Sequence, residues 1–302
     1  MIFVAYLSGC PSGPNNAHKH KILSDFVNGV NSFGDEGILH QGKEIIESDV
    51  AFIQGWIHQN IGSSPHLNIR KDVILTQRVK NKRLLVADSN LFNYIDANVK
   101  KDYIRYSFDG IFPTTGNYFD NIIDSNRWKK ISKAKNISLK PWIKNGKHIL
   151  ICTQRNGGWS MRGLSVVKWL DSTLENLRKY TDRPIIVRGH PGDRHHRQYI
   201  DQTKYNLSYN YYIKQDFINC HAVITYNSSP AVAAGIEGVP VFVTDPFPKT
   251  SQAFAIANKD ISTIENPRIF DRQHWVEKLS MSHWNNDEIA SGEAWEHIRK
   301  FV

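Results

Sequence analysis

Cysteine is scarce in this 302-residue chain. Cys10, Cys152 and Cys220 stand alone and far apart, which excludes a disulfide framework or zinc knuckle and suits a reducing compartment. Long apolar runs are missing as well. No segment approaches the roughly 18 residues needed to cross a bilayer, and the opening MIFVAYLSG reads as a strand, so a cytoplasmic protein without membrane insertion is expected. The phosphate-binding patterns G-x-G-x-x-G and Walker A are absent, which disfavours dehydrogenases and P-loop enzymes. So is the G-x-S-x-G elbow, which removes the commonest α/β hydrolase reading. With no D-x-D triplet, no essential metal is expected. The adjacent pair His195-His196 does not change this, because neighbours on a helix point about 100° apart.

What is present is an ordinary globular composition, 40% hydrophobic and 22% charged, long enough for two domains of roughly 150 residues. The net charge of +9 is unevenly spread: residues 1–150 hold 20 Lys+Arg against 13 Asp+Glu, and the rest 18 against 16. The first half is therefore the basic one, and a polyanion such as nucleic acid is the leading partner for it.

Strand, loop and helix alternate along the chain, the mark of a doubly wound parallel sheet. Strands are expected at 2–7, 49–54, 72–75, 83–87, 148–153, 183–188, 222–225 and 239–244. Helices are expected near 18–33, 164–180 and 230–237, with a helical tail from about 271 rich in tryptophan (Trp275, Trp284, Trp295). The aromatic stretch 103–119 reads as a structured loop or lid. A basic segment with Pro141 and Asn145-Gly146 reads as a linker. The expected architecture is α/β, two Rossmann-like domains facing a cleft: residues 1–146, residues 147–275, and C-terminal helices 276–302 crossing back onto the first domain.

The most informative stretch is AVITYNSSPAVAAGIEGVPVFVTD (222–245). Pro230 suits a first helical turn, Ser228 or Ser229 can cap it, and Gly238 stops it. A helix start at the carboxyl edge of a parallel sheet is a natural anion site, and Glu237 is a candidate for a sugar hydroxyl. Two further loops are expected at the same edge: Gln154 to Ser160 with Arg155, Asn156, Gly157 and Gly158, and Arg188 to Asp193 with His190 and Pro191. Guanidinium forks, glycine amides and a helix start are what a departing phosphate requires.

The blocks RGHPGD (188–193) and TYNSSPAVAAGIEGVPVFV (225–243) resemble the bacterial capsular-polysaccharide transferases of the Kdo-transferase type. The blocks DSNLF (88–92), RYSF (105–108), QRNGGW (154–159) and SGEAW (291–295) are similar to proteins of tailed phages. The resemblance implies a GT-B glycosyltransferase that takes a nucleotide sugar, UDP- or CMP-linked, as substrate and needs no cofactor. It implies that His190 and Pro191 lie by the nucleotide, Ser228 and Ser229 by its phosphate and Glu237 near a ribose or sugar hydroxyl; with the loop residues Arg155–Gly158, Arg188, Tyr226 and Asn227 these make the expected donor site. An inverting enzyme of this kind takes its base from the first domain; Asp88 is the first choice, with Asp109, His58 and His66 behind it, though Asp88 also suits a helix cap. The favoured acceptor is a 5-hydroxymethyl-pyrimidine in double-stranded phage DNA, in the host cytoplasm. Arg105 is a candidate for its phosphate, and Trp56, Tyr106 and Phe108 for the space a flipped base leaves. Transfer to a surface polysaccharide or lipid-linked glycan, and non-catalytic binding of a nucleotide sugar or DNA, are the alternatives.

Overall fold

The computed structural model describes the chain except for residues 12, 14–15, 58–61, 95–102 and 194. Its strands in chain order are β1 (Ile2–Tyr6), β2 (Glu36–His40), β3 (Val50–Gln54), β4 (Arg83–Asp88), β5 (Tyr103–Phe108), β6 (His148–Cys152), β7 (Ile185–Arg188), β8 (Cys220–Thr225), β9 (Val241–Val243), β10 (Ala257–Asn258) and β11 (His283–Asn285). They form two sheets in two compact units. Met1–Asn90, Lys100–Asp124 and Lys278–Val302 make unit 1; Leu91–Val99 and Ser125–Glu277 make unit 2.

Unit 2 is a five-stranded, all-parallel sheet in the order β7-β6-β8-β9-β10. β6 and β8 bury almost every residue, as strands covered by helices on both faces must. The expected βαβ unit is present: Pro230 opens the helix Pro230–Glu237, and Gly238 closes it in the left-handed region at φ 81°. A Cβ on Gly238 would lie 2.1 Å from the Pro141 carbonyl, so only glycine fits. That contact also explains why the linker groups with unit 2. Lys140 N donates to Ile236 O and Ile143 N to Gly238 O, which ties the segment to the end of this helix. Residues 125–146, expected in the first domain, thus lie in the second unit.

Unit 1 repeats the pattern in the order β2-β1-β3-β4-β5-β11, with β1 to β4 mutually parallel and β5 antiparallel to both neighbours. Its differences from expectation have physical causes. The stretch at 103–119 opens with a strand: Tyr103, Tyr106 and Phe108 are buried, and their rings, not a lid, complete the sheet. Asp72–Leu75 belongs to the helix Pro65–Val79, where Leu67, Arg70, Val73, Ile74 and Gln77 recur at helical spacing on the buried side. β2 escapes sequence reading because it is a half-exposed edge strand. The tail does cross back to the first unit. Trp295 is fully buried against Phe3 and Phe26 and donates to Asp35 Oδ2 at 2.7 Å, and Trp284 lies in the same core. Gly29, in the helix Ala17–Ser32, permits this docking, since a Cβ there would meet Ile289 O at 2.0 Å.

Candidate functional site

In a doubly wound sheet, ligands bind at the carboxyl edge where the strand order reverses. In unit 2 this point lies between β6 and β8. Cys152 is in register with both Arg188 and Thr225, and Thr225 with Val243, so four loops leave the sheet at one level. Hydrogen bonds join them in pairs. Gln154 Oε1 accepts from Asn227 N at 3.1 Å, linking the loops after β6 and β8. Asp193 Oδ2 accepts from Asn156 N at 3.0 Å and Gly192 O from Arg155 at 2.7 Å, linking those after β6 and β7. Asn227 Nδ2 donates to Asp245 Oδ2 at 2.7 Å, linking those after β8 and β9.

At the centre of this arrangement two hydroxyls lack protein partners among the described residues: Ser228 Oγ and Thr225 Oγ1 are shielded from solvent yet unpaired. A buried polar group without a partner is costly, so such groups mark a place where a ligand or water supplies one. Ser228 lies one residue before Ser229, the N-cap of the helix, whose side chain makes no capping bond. Nearby, a cavity of about 420 Å³ is lined by Arg155, Asn156, Gly192, Asp193, His195 and Tyr199. Burial, and then the Arg155 charge, hold the His190 imidazole below its ordinary pKa. Its Nδ1 accepts from Gly192 N at 3.0 Å, which leaves Nε2 as the protonated nitrogen of the neutral ring. Burial pushes the Asp193 carboxyl up, but donors from Tyr199, Asn156 and His195 outweigh it and keep the group below its usual range.

The expected donor residues divide between ligand-facing and structural places. Arg155, Asn156, Gly157, Pro191 and Ser229 are exposed at the edge, His190, Gly158 and Ser228 half-buried there, and Gly157 takes φ 68°. Arg188 is committed elsewhere: its guanidinium meets Asp216 at 2.5 Å and the carbonyls of Asn210 and Tyr211, with a side chain 12% exposed. Tyr226 and Asn227 are buried and shape the turn from beneath, Tyr226 OH accepting from Arg162 at 3.3 Å. Glu237 ends the helix that Ser229 caps, eight positions on from it and at the far end from the anion site; it pairs with Lys214 at 3.7 Å.

In unit 1, Asp88 ends β4 at the carboxyl edge, ion-paired to the buried Arg105, and caps no helix among the described residues. Asp109 does not share that edge. Because β5 runs antiparallel, Asp109 lies beside the start of β4, held by Arg83 at 2.7 Å and Leu84 N at 3.0 Å. It lines a cavity of about 640 Å³ on the amino edge, where Lys82 and Arg83, two of its cations, are paired with Asp49 and Asp109. Tyr106 and Phe108 are fully buried in the core and cannot face an acceptor. Trp56 is half-buried at the carboxyl edge. His66 lies in the first turn of the helix Pro65–Val79, and His58 falls outside the described residues.

Sequence reading passed over the second layer of the site. Arg162 binds Asp245 bidentately at 2.9 and 3.0 Å, and Thr250 and Asn227 donate to the same carboxylate. Asp245 closely follows β9 at the carboxyl edge, which was a usable signal; Arg162 and Thr250 carry none in their local sequence. The three thiols are buried, and burial pushes that of Cys220 up to about 12.

No protein-family model and no curated protein sequence matches the chain. Solved structures do. The Thermosulfurimonas dismutans KpsC β-Kdo 2,7 transferase superposes with a TM-score of 0.54 over 100% of both chains at 13% identity. The β-Kdo 2,4 transferase from the same organism's KpsC superposes with a TM-score of 0.52 over 92% of this chain and 89% of that one, at 12% identity. The fold is therefore that of the GT-B glycosyltransferases, as the sequence resemblance implied.

Proposed function

We propose that the chain is a glycosyltransferase that moves a sugar from a nucleotide sugar to an acceptor hydroxyl. The observation that carries this reading is the unpaired Ser228 hydroxyl at the start of the helix Pro230–Glu237, on the reversal point of the unit 2 sheet. Ser228, Arg155 and the backbone amides of the turn receive the donor phosphate. As the bond from the anomeric carbon to the phosphate oxygen breaks, they stabilise the charge that oxygen takes with the electron pair. The acceptor oxygen forms the new bond to carbon and gives its proton to the Asp88 carboxylate in an inverting displacement that needs no metal. Neutral His190 beside Arg155 leaves the positive charge of the site on the arginine, and the nucleotide is a UDP- or CMP-sugar.

The acceptor proposed is a hydroxymethyl-pyrimidine of phage DNA; the basic surplus of residues 1–150 that supports it lies in residues 125–147, eight Lys+Arg and no Asp or Glu, a segment of unit 2. With Tyr106 and Phe108 in the core, Trp56 is the aromatic left to meet a base. Transfer to a glycan is the second reading, favoured by the Kdo transfer named for both structural neighbours.

A thermal-shift screen against UDP-, GDP-, CMP- and dTDP-sugars tests the donor half. One class is expected to raise the melting temperature, with the rise lost in Arg155→Ala and Ser228→Ala; no rise with any of them refutes the reading. Duplex DNA affinity that falls steeply with salt supports the DNA acceptor, and absence of affinity at low salt removes it.

A further inference from the structure

The reversal point of the unit 1 sheet, between β1 and β3, holds a cation without an anion. Arg70 is 6% exposed. Its Nε donates to Gly9 O at 2.6 Å, in the turn after β1, and its Nη1 to Trp56 O at 3.1 Å, in the loop after β3. The backbone is shaped to admit it: Gly55 takes φ 82°, and a Cβ there would lie 2.9 Å from Nη1. Among the described residues no carboxylate pairs with this guanidinium, and its second terminal nitrogen has no protein acceptor. A buried charge in that position is costly unless something compensates it.

A second group, in the turn that Arg70 grips, also lacks a partner. Ser8 Oγ, in the turn Leu7–Gly9 that Arg70 grips, is shielded from solvent and has no partner among the described residues. An oxyanion satisfies both groups at once, accepting from the hydroxyl and neutralising the guanidinium. The local charge agrees. Burial, and then the positive charges of Arg70 and Lys19, hold the neighbouring His66 imidazole below its ordinary pKa.

We infer that the β1–β3 edge of unit 1 is an oxyanion site in which Arg70 and Ser8 hold a phosphate or carboxylate group of the acceptor. Assignment of that group to the acceptor rests on the proposed transferase function; the oxyanion site itself does not. Arg70 and Ser8 are positioning residues that bind an anionic part of the substrate, and take no part in proton transfer.

Inorganic phosphate is the probe, and the His66 ring resonances report its binding inside unit 1, separate from any phosphate bound in unit 2. Titration of the whole chain is expected to move these resonances saturably and to raise the His66 titration midpoint. Acetate in a parallel titration tells a carboxylate site from a phosphate site by which anion saturates at lower concentration. Arg70→Gln keeps an amide donor for the Gly9 carbonyl but removes the charge, so phosphate affinity at His66 falls by roughly tenfold or more. Its nucleotide-sugar thermal shift stays unchanged. If Arg70→Gln does not fold, Ser8→Ala and Lys19→Gln take its place, each weakening phosphate several-fold. A His66 signal indifferent to both anions, or phosphate affinity equal to wild type in the variants, overturns the inference. Phosphate binding at His66 without any nucleotide-sugar binding leaves the oxyanion site standing and refutes the donor reading instead.

Discussion

Asp245→Ala removes the carboxylate on which the proposed donor turn rests, and its effect follows from the contacts. The side chain is wholly buried and accepts from Arg162 at 2.9 and 3.0 Å, Asn227 at 2.7 Å, Thr250 at 2.5 Å and Phe247 N at 2.9 Å. Deletion leaves Arg162 without its carboxylate, and leaves the Thr250 hydroxyl only the Phe247 carbonyl at 2.8 Å and the Asn227 amide only longer bonds of 3.3 Å to Ser160 O and Thr250 Oγ1. Removing one member of a buried pair costs about 3–5 kcal/mol. Arg162 is 34% exposed and regains water, which discounts the ionic part and brings the expected loss to about 2–4 kcal/mol. For a unit of this size that lowers the melting temperature by about 4–16 °C. Scanning calorimetry at pH 7 measures it, and the nucleotide-sugar shift weakens in parallel because Asn227 no longer fixes the turn. The pH dependence has a definite sign. Burial pushes the Asp245 carboxyl up, but Arg162, Thr250, Phe247 and Asn227 together hold it below its ordinary value. A depressed acid contributes stability above its unfolded pKa of about 3.9 and loses it as pH falls through the folded value. The gap between wild type and variant is therefore full at pH 7 and closes below about pH 4. A gap under about 1 kcal/mol at pH 7, or one that widens on acidification, refutes the reasoning.

Gly29→Ala places a methyl 2.0 Å from Ile289 O and is expected to cost about 1–3 kcal/mol, read as a lower denaturant midpoint at constant slope. Asp88→Asn, which keeps the shape beside Arg105, is expected to lower kcat about 10²–10⁴-fold while the nucleotide-sugar thermal shift persists; full activity in this variant removes Asp88 as the base. The His190 ring, depressed by burial and by Arg155, is expected to titrate by NMR below about 6.5, with Arg155→Ala moving the midpoint upward. Its contribution to stability is present above that pH and lost as pH falls below it. A wild-type midpoint above the ordinary histidine value contradicts the burial argument.

The parts of this structure that depend on short-range chemistry were legible in the chain. Pro230 at a helix start, Gly238 in the left-handed region at its end, and the apolar runs of β8 and β9 are each decided by a few neighbouring residues. The tryptophans of the tail were legible as a tie to the first unit because Trp284 and Trp295 have too much apolar surface to leave in water. What escaped depends on residues far apart in sequence. Arg188 reads as a phosphate ligand until Asp216, 28 positions later, is seen to occupy it. Asp109 reads as a base until the direction of β5, set by pairing with β4 and β11, puts it on the amino edge. Asp72–Leu75 looks like a strand by composition, and Ser64-Pro65 at the helix start is the local cue that decides otherwise.

The two units share the strand order of their first four strands, and they share a way of keeping charge available. Most edge arginines are neutralised: Arg105 by Asp88, Arg162 by Asp245, Arg188 by Asp216. Arg155 and Arg70 are not, among the described residues. Arg155 donates to the Gly192 carbonyl, and Arg70 to the Gly9 and Trp56 carbonyls. A carbonyl orients a guanidinium without cancelling its charge, so both edges retain a directed positive potential that a bound oxyanion completes. The settings differ in burial. Arg155 is exposed and remains hydrated when its site is empty, whereas Arg70 has little water to fall back on. Anion binding at Arg70 therefore relieves a desolvation cost that Arg155 never bears. The unit 1 edge is accordingly expected to gain more stability from a bound anion than its exposure alone suggests.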